Sequence, residues 1–346
     1  MKIATLRSKL VKLKISALLI TNPANVSYLS NFSGEGQLLI TPGKKFLITD
    51  SRFVESATNA TSSWKIWPRQ GAQSLEKSIS GLVNELKLKK LGFESGSLSF
   101  ERYQKLNCVL KTTKLTPTAH IVESLRSVKS AQEIRLLKKC ARLAAKSFSF
   151  AKQIIEPGKK ETEIARELQY YMRKHGAEDS SFSIIVASGK RSSMPHAPIS
   201  DRIIKKNEAV LVDLGCRISG YNSDLTRVVF LGKISGTLRR NYRIVAAAQK
   251  LAIKSIKAGI KVSRIDRIAR QYIAKNGLGP FFIHALGHGI GREVHEHPTI
   301  SSKNHQRLKQ GMVFTVEPGV YLPGSGGIRI EDMVLVTKTG CEILTK

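Results

Sequence analysis

The chain has 346 residues, enough for about two domains that each bury a core, and 41% of its residues are apolar, as in ordinary globular proteins. Its four cysteines are far apart and form no Cys-x-x-Cys pair, so we expect buried, reduced thiols and exclude a zinc ribbon and a disulfide framework. The formal net charge is +31, from 57 basic and 26 acidic side chains, and such a surface should attract polyanions.

The distribution of this charge weakens the case for a nucleic-acid partner. Residues 1–123 carry a net +10 and the other 223 residues a net +21, so both parts are basic in similar proportion. Aromatic residues make up only 6% and accompany no basic run, whereas nucleic-acid surfaces combine the two. The apolar run at residues 15–20 is too short for a signal peptide. We therefore expect a cytoplasmic protein without a membrane or specific nucleic-acid partner.

Residues 1–122 are predicted to form a small α/β domain. A basic amphipathic helix opens the chain, and apolar runs at 17–20, 37–40 and 46–49 predict strands, the last two flanking the turn Thr41-Pro-Gly-Lys44. Catalytic residue types do not cluster in this domain. Its predicted role is structural, or it shapes access to a site elsewhere.

Residues 123–346 are predicted to form a second, α+β domain. Ser130 and Glu133 make a capping box that opens a long helix, which Pro157-Gly158 ends. Further helices are predicted at about 161–174, 237–258 and 263–276, and strands at 182–187, 209–214, 227–231, 312–316 and 328–336. Two helices followed by strands, twice over, indicate a duplicated unit with its site between the halves.

Five residues of this second domain make a ligand set for two divalent metal ions. Asp213 ends the apolar run 209–213 and Asp224 follows eleven residues later, so we expect both on adjacent strands joined by a tight hairpin. With these two aspartates, His288, Glu317 and Glu331 give four carboxylates and one imidazole, which suit hard ions such as Mn²⁺ or Mg²⁺. Two such ions about 3.5 to 4 Å apart activate water and polarise a carbonyl. The set predicts metal-assisted hydrolysis.

Neighbouring residues add to this hypothesis. Glycines on both sides of His288 allow close backbone approach, and Pro318-Gly319 holds Glu317 at a strand end. Alternation along the strand predicted at 328–336 places Arg329 and Glu331 on one face, where the guanidinium can orient the carboxylate. Three further histidines are candidates to polarise a carbonyl, stabilise an oxyanion or pass a proton to a leaving amine: His196, His284 and His295.

At these residues the chain resembles the pita-bread metallopeptidases, and within them the aminopeptidase P and prolidase branch, which cleaves Xaa-Pro bonds. The matching motifs run from about Val122 to the C-terminus, and residues before them resemble the creatinase-like domain more loosely. They include Met194-Pro-His196, Tyr221-Asn-Ser-Asp224, Gly287-His-Gly-Ile-Gly291, Val294-His-Glu296, Thr315-Val-Glu-Pro-Gly319 and Gly327-Ile-Arg-Ile-Glu-Asp332.

The resemblance implies how the residues divide the work. The five ligands would bind two Mn²⁺ ions, with Co²⁺, Zn²⁺ or Fe²⁺ as alternatives, and Asp224 and Glu331 would bridge the ions or bind in a bidentate way. An activated water would attack the Xaa-Pro carbonyl while Glu317 handles its proton. The three histidines would bind substrate and support the tetrahedral intermediate, Arg329 would steady the site, and the chain would form a homodimer.

Two departures from the family pattern bear on substrate choice. Arg292 stands where an aliphatic residue is common and adds positive charge near the cleft. Thr299 stands where similar archaeal prolidases have an arginine thought to hold the dipeptide carboxylate. The sequence therefore favours an Xaa-Pro aminopeptidase acting on longer peptides, with an Xaa-Pro dipeptidase (prolidase) as the alternative.

Three other functions fit the sequence less well. Methionine aminopeptidases share the five ligands but generally lack an upstream domain of this size, and creatinase lacks a working metal set. A metal-free pita-bread module that binds protein or nucleic acid would suit the charge, but such modules typically lose ligands that this chain keeps.

Overall fold

The computed structural model describes residues 2–69 and 73–346. Its internal contacts divide the chain into two compact units, Met1–Arg126 and Ser127–Lys346. The boundary predicted from the sequence, after Val122, stays a prediction. In the two described ranges, every helix is too short or too polar to cross a membrane.

The first unit is built on a six-stranded sheet that is buried on both faces. Within its strand β1, Leu18 and Ile20 belong to one apolar cluster and Ala17 and Leu19 to another, as the alternation of side chains across a sheet requires. The sheet order is β4-β3-β2-β1-β5-β6, with β1–β2 and β2–β3 antiparallel and the other pairs parallel. The elements are α1 (Lys2–Lys12), β1 (Ala17–Ile20), α2 (Pro23–Ser30), β2 (Gly36–Ile40), β3 (Lys45–Asp50), α3 (Val54–Ala60), β4 (Lys65–Arg69), α4 (Leu75–Glu85), β5 (Lys90–Glu94), α5 (Phe100–Val109), β6 (Lys114–Thr118) and α6 (Glu123–Arg126).

The hairpin predicted in this unit is confirmed. β2 and β3 pair across the turn, where the Thr41 amide donates to the Lys44 carbonyl oxygen at 3.0 Å and Thr41 Oγ1 accepts from the Lys44 amide at 2.9 Å. The expectation of four buried thiols is wrong for Cys108, which is exposed on α5, a helix that buries Leu106. Cys140 and Cys216 in the second unit are buried as predicted.

The second unit contains two helix pairs and two main sheets. Its helices are α7 (Ala131–Ile154), α8 (Glu161–Lys174), α9 (Gly236–Lys254) and α10 (Val262–Lys275). Its strands are β7 (Asp179–Ser180), β8 (Ile185–Ser188), β9 (Glu208–Leu214), β10 (Cys216–Ile218), β11 (Tyr221–Asn222), β12 (Leu225–Leu231), β13 (Gly287–Gly289), β14 (Glu296–Ile300), β15 (Val313–Val316), β16 (Gly319–Leu322), β17 (Gly326–Arg329), β18 (Asp332–Val336) and β19 (Cys341–Ile343).

The predicted duplication is visible in this unit. Helices α7 and α8 share an apolar cluster with the sheet β12-β9-β8, and α9 and α10 share another with the sheet β14-β13-β15-β18-β19. The capping box that opens α7 is present, with the Ser130 amide donating to Glu133 Oε2 at 2.9 Å. Each half thus consists of one helix pair packed on one sheet.

Two local predictions about the strands are wrong. β9 and β12 do pair, with Asp213 opposite Thr226, but the short strands β10 and β11 replace the tight hairpin between them. The strand predicted at 328–336 is broken, because β17 ends at Arg329 and pairs with β16 whereas β18 pairs with β15. Glu331 lies in this break, and its amide donates to the Thr226 carbonyl oxygen at 3.1 Å.

Candidate metal centre

The five predicted ligands meet where strands of the two halves end. Asp213 lies in β9 and Asp224 directly before β12, whereas His288 lies in β13, Glu317 directly after β15 and Glu331 directly before β18. His288 Nε2 is 3.1 Å from Glu317 Oε1 and 3.6 Å from Asp224 Oδ2. Donor atoms of Asp224, His288 and Glu331 all lie within 4.8 Å of one another.

Unpaired oxygen atoms in this cluster show that the residues fit divalent cations. Asp213 Oδ1 and Glu331 Oε1 are buried and accept no hydrogen bond, although a buried carboxylate oxygen without a partner is costly. Oxygen ligands of this kind, with one imidazole, are those that Mn²⁺ and Mg²⁺ favour. A cation would supply the missing partner for both atoms.

The crowding of carboxylates perturbs their pKa values. Burial, and then the negative charges of Glu331 and Asp213, hold the pKa of Asp224 well above its usual range. Burial and nearby Glu317 do the same for the pKa of Glu331. Burial alone would raise the pKa of Glu317, but the hydrogen bond from His288 lowers it to about 2. Without a cation, Asp224 and Glu331 therefore keep their protons to higher pH than isolated carboxyl groups, and a metal ion would displace these protons.

The orientation of His288 suits metal binding through Nε2. Its Nδ1 faces the Gly289 carbonyl oxygen at 3.1 Å, which fixes the ring, and its amide donates to Thr315 Oγ1 at 3.1 Å. A Cβ at Gly287 would collide with the Thr315 carbonyl oxygen, so only glycine lets the two strands approach this closely. The glycines of the motif therefore serve the placement of the imidazole.

Arg329 holds the carboxylate side of the centre. The guanidinium is buried and donates to Asp213 Oδ2 at 2.6 Å, to Tyr321 Oη at 2.8 Å and to Thr226 Oγ1 at 3.0 Å. Thr226 Oγ1 in turn donates to Glu331 Oε2 at 2.7 Å. Arg329 thus fixes one oxygen of each of two ligands and leaves the other oxygen of each without a donor.

The predicted histidines line the same cavity, which has a volume of about 1100 Å³. His284 Nε2 lies 3.0 Å from Tyr321 Oη, and the His295 ring packs edge-on against His288 with 4.2 Å between centroids. Burial lowers the pKa of His284, and burial together with nearby His288 lowers the pKa of His295. His196 is exposed and lies among the lining residues. Tyr321 was not predicted from the sequence, since only the β16–β17 pairing brings it here.

A buried glutamate supports the loop that carries His196. Glu161 Oε1 accepts from the amide and the hydroxyl of Ser188, both at 2.7 Å, and Oε2 accepts from Arg191 Nε at 3.1 Å and Ser200 Oγ at 2.6 Å. These donors lie at both ends of the segment 188–200. Glu161 therefore ties the start and the end of the loop to α8.

A buried ion pair supports the segment that carries His295. Lys129 Nζ lies 3.3 Å from Glu296 Oε2, with side chains 1% and 4% exposed, and Glu296 Oε1 accepts from the Glu293 amide at 3.0 Å. Neither Lys129 nor Glu161 was singled out from the sequence. Each stands at the start of a helix, and nothing in the neighbouring sequence indicates its distant partner.

The two residues expected to set substrate choice differ in position. Thr299 lines the cavity as predicted. Arg292 does not belong to the lining residues that the structure describes; its guanidinium lies over the Tyr221 ring at 4.8 Å from the centroid. The expectation that Arg292 adds positive charge near the cleft stays a prediction, and its contact with the Tyr221 ring was not predicted from the sequence.

The comparisons with known proteins agree with this geometry. The model of metallopeptidase family M24 matches residues 135–338, and that of the creatinase/prolidase N-terminal domain matches residues 2–128. The chain belongs to metallopeptidase family M24. This confirms the predicted pita-bread fold with a creatinase-like N-terminal domain, and with it a metal-dependent peptidase.

Solved and curated M24 relatives cover nearly the whole chain. The Xaa-Pro dipeptidase from Bacillus anthracis has a TM-score of 0.96 at 40% identity, over 100% of this chain and 97% of that one. The X-Pro aminopeptidase from Thermotoga maritima has a TM-score of 0.88 at 38% identity, over 96% of each chain. The Xaa-Pro dipeptidase of Pyrococcus horikoshii is 37% identical over 97% of this chain and 94% of its own length.

Proposed function

We propose that this M24 peptidase is an Xaa-Pro dipeptidase that hydrolyses the bond before proline. The observation that carries the hydrolytic chemistry is the cluster of four carboxylates and one imidazole with two unpaired, buried oxygen atoms. Two relatives that match nearly the whole chain are named Xaa-Pro dipeptidase, which supports Xaa-Pro dipeptides as the substrate class. The alternative weighed from the sequence, prolidase, is thus better supported than the aminopeptidase that we preferred.

We propose that the five ligands hold two divalent ions, with Mn²⁺ as the expected metal. When bound, such ions supply a Lewis acid for the scissile carbonyl and lower the pKa of water. Asp213 and Glu331 each direct one unpaired oxygen into the cluster, and His288 offers Nε2. Arg329 keeps Asp213 in place and balances part of its charge.

Glu317, which is also one of the five ligands, moves a proton, and the three histidines bind substrate. Glu317 is ionised at neutral pH and takes the proton of the attacking water at a carboxylate oxygen. As water adds to the carbonyl carbon and the C–N bond breaks, the same proton passes to the leaving proline nitrogen. His196, His284 and His295 line the cavity on the substrate side, where His196 and His295 donate hydrogen bonds to the carbonyl oxygen and the tetrahedral oxyanion. Both ring nitrogens of His284 face protein oxygens, the Ala285 carbonyl oxygen at 2.8 Å and Tyr321 Oη at 3.0 Å, so His284 positions Tyr321 beside the substrate.

One observation keeps the aminopeptidase as a second candidate. Among the described residues that line the cavity, Arg329 is the only lysine or arginine, and it is already paired with Asp213. Thr299 offers a hydroxyl but no positive charge for the free carboxylate of a dipeptide. A longer peptide has no carboxylate at that place and loses nothing.

A comparison of Ala-Pro with Ala-Pro-Ala distinguishes the two. A dipeptidase gives a higher kcat/KM for Ala-Pro, and Thr299→Arg should raise that value further, by about tenfold, because it adds a charge-assisted contact to the carboxylate. Thr299→Gln serves as the control of similar length without charge. A higher kcat/KM for the tripeptide in the unmodified protein would contradict the dipeptidase and support the aminopeptidase.

A further inference from the structure

A groove in the second unit is lined by four positively charged side chains. Its volume is about 350 Å³, and the six described residues that line it include no acidic and no aromatic side chain. None of them lines the cavity of the metal centre. The lining residues are Ile260, Lys261, Ser263, Arg264, Arg267 and Arg307.

The backbone fixes the positions of these charges. Lys261, Arg264 and Arg267 recur every three residues, so they follow one exposed face along the start of α10. The segment that carries Arg307 runs beside them, since the Val262 amide donates to the Gln306 carbonyl oxygen and the Leu308 amide to the Ile260 carbonyl oxygen, both at 2.9 Å.

Arg307 is also held by its side chain. Its Nη1 donates to the Gly259 carbonyl oxygen at 2.7 Å, which leaves the other guanidinium nitrogens for a ligand. The groove therefore lies along two paired backbone segments, and a hydrogen bond holds one of its four charged side chains in place.

Within residues 2–69 and 73–346, no carboxylate forms an ion pair with the charged side chains of the groove. The single acidic residue of α10, Asp266, is buried and accepts from Arg270 and from the Leu286 amide. In the part of the chain that the structure describes, none of the four cations of the groove takes part in an ion pair. Four like charges around one groove repel one another, and a multivalent anion relieves that repulsion.

We propose that this groove binds a small anion that carries several phosphate groups. Guanidinium groups match phosphate oxygens with two parallel hydrogen bonds, and a fourfold positive charge favours a polyanion over a monoanion. A nucleic acid is disfavoured, because specific interfaces with DNA bury roughly 1,000 Å² or more and single strands need aromatic stacking, which this groove lacks.

The test is calorimetric titration of the full chain with inorganic tripolyphosphate at low salt. The groove variant is Lys261→Gln/Arg264→Gln, and the matched control is Arg142→Gln/Lys146→Gln, which removes the same two charge types from an exposed face of α7. Metal taken from the centre by tripolyphosphate contributes equally to all three proteins. We expect binding that weakens about tenfold or more in the groove variant and less than about twofold in the control.

Several outcomes overturn the proposal. The first is no heat of binding in the unmodified protein. The second is an equal loss of tripolyphosphate affinity in both variants, which would indicate unspecific attraction. The third is a groove variant that loses affinity for duplex DNA but not for tripolyphosphate. Thermal unfolding of both variants within a few degrees of the unmodified protein excludes misfolding as the cause. Xaa-Pro hydrolysis is not a readout here, so the result is independent of the proposed function.

Discussion

Replacement of the buried Glu161 by glutamine tests how the structure supports the histidine-bearing loop. Glu161 is fully buried and accepts four hydrogen bonds, two on each carboxylate oxygen. Two of the four donors, the Ser188 amide and Arg191 Nε, cannot act as acceptors. The Glu161→Gln change converts one carboxylate oxygen to an NH₂ group. Either position places that NH₂ donor against another donor that cannot accept a hydrogen bond.

The magnitude follows from this opposition. Hydrogen bonds to a charged group contribute about 1.5–3 kcal/mol each, and the hydroxyls of Ser188 and Ser200 can rotate to accept from the new amide. The net loss is then about 2–4 kcal/mol. For a domain of this size such a loss lowers Tm by roughly 5–15 °C.

The segment 188–200 also carries His196, so the Glu161→Gln change should lower kcat as well as Tm. We expect kcat for Ala-Pro to fall by about tenfold at a temperature where the variant is folded, while bound metal stays the same. The assays are thermal unfolding, steady-state kinetics and metal analysis. Glu167→Gln on the same helix is the control, since its ion pair with Lys159 is half exposed and worth little. A Glu161→Gln variant with unchanged Tm and kcat would show that Glu161 does not support the segment 188–200.

The remaining predictions concern the metal centre. Asp224→Asn should raise Tm of the metal-depleted protein, because it removes a carboxyl that burial and the neighbouring carboxylates make costly to ionise, and should lower metal-dependent turnover more than about 100-fold; unchanged Mn²⁺ affinity would contradict this. The gain in Tm on adding Mn²⁺ should grow from pH 6 to pH 8. Asp224 and Glu331 have raised pKa values in the folded state, so the stability of the metal-free protein falls as pH rises above about 4, the pKa of an unfolded carboxyl. The raised pKa of His288 lowers the stability of the metal-free protein with rising pH in the same way. If the gain in Tm on adding Mn²⁺ shrinks from pH 6 to pH 8, the raised pKa values of these ligands are contradicted. Arg329→Lys should cost about 10- to 100-fold in kcat/KM with metal retained, because an ammonium cannot reproduce the forked contact with Asp213 and its neighbours.

The sequence predicted the ligands because each stands in a local context with a physical meaning. Asp213 ends an apolar run, His288 is surrounded by glycines that permit close approach, and Glu317 precedes a proline and a glycine. The capping box at Ser130 and the helix pairs are local in the same way, which is why their positions hold in the structure.

What the sequence did not predict depends on distant partners. Glu331 leaves the strand because its amide pairs with Thr226, over a hundred residues earlier, so the alternation rule placed it on the wrong element. Glu161 and Lys129 read as ordinary helix-terminal charges until the fold shows Ser188 and Glu296 beside them. The preference for longer peptides rested on Thr299 alone, and neither its place in the cavity nor the named relatives decide it in favour of the aminopeptidase.

The proposed function requires a metal centre in this chain that hydrolyses the bond before proline. The most direct measurement removes metal with a chelator, titrates Mn²⁺ back, and follows Ala-Pro and Ala-Ala hydrolysis alongside the metal bound per chain. The proposed function predicts no turnover without metal, recovery that saturates at two ions per chain, and cleavage of Ala-Pro but not of Ala-Ala. Turnover that persists in the metal-free protein, or no Xaa-Pro hydrolysis at any Mn²⁺ or Co²⁺ concentration, would contradict it.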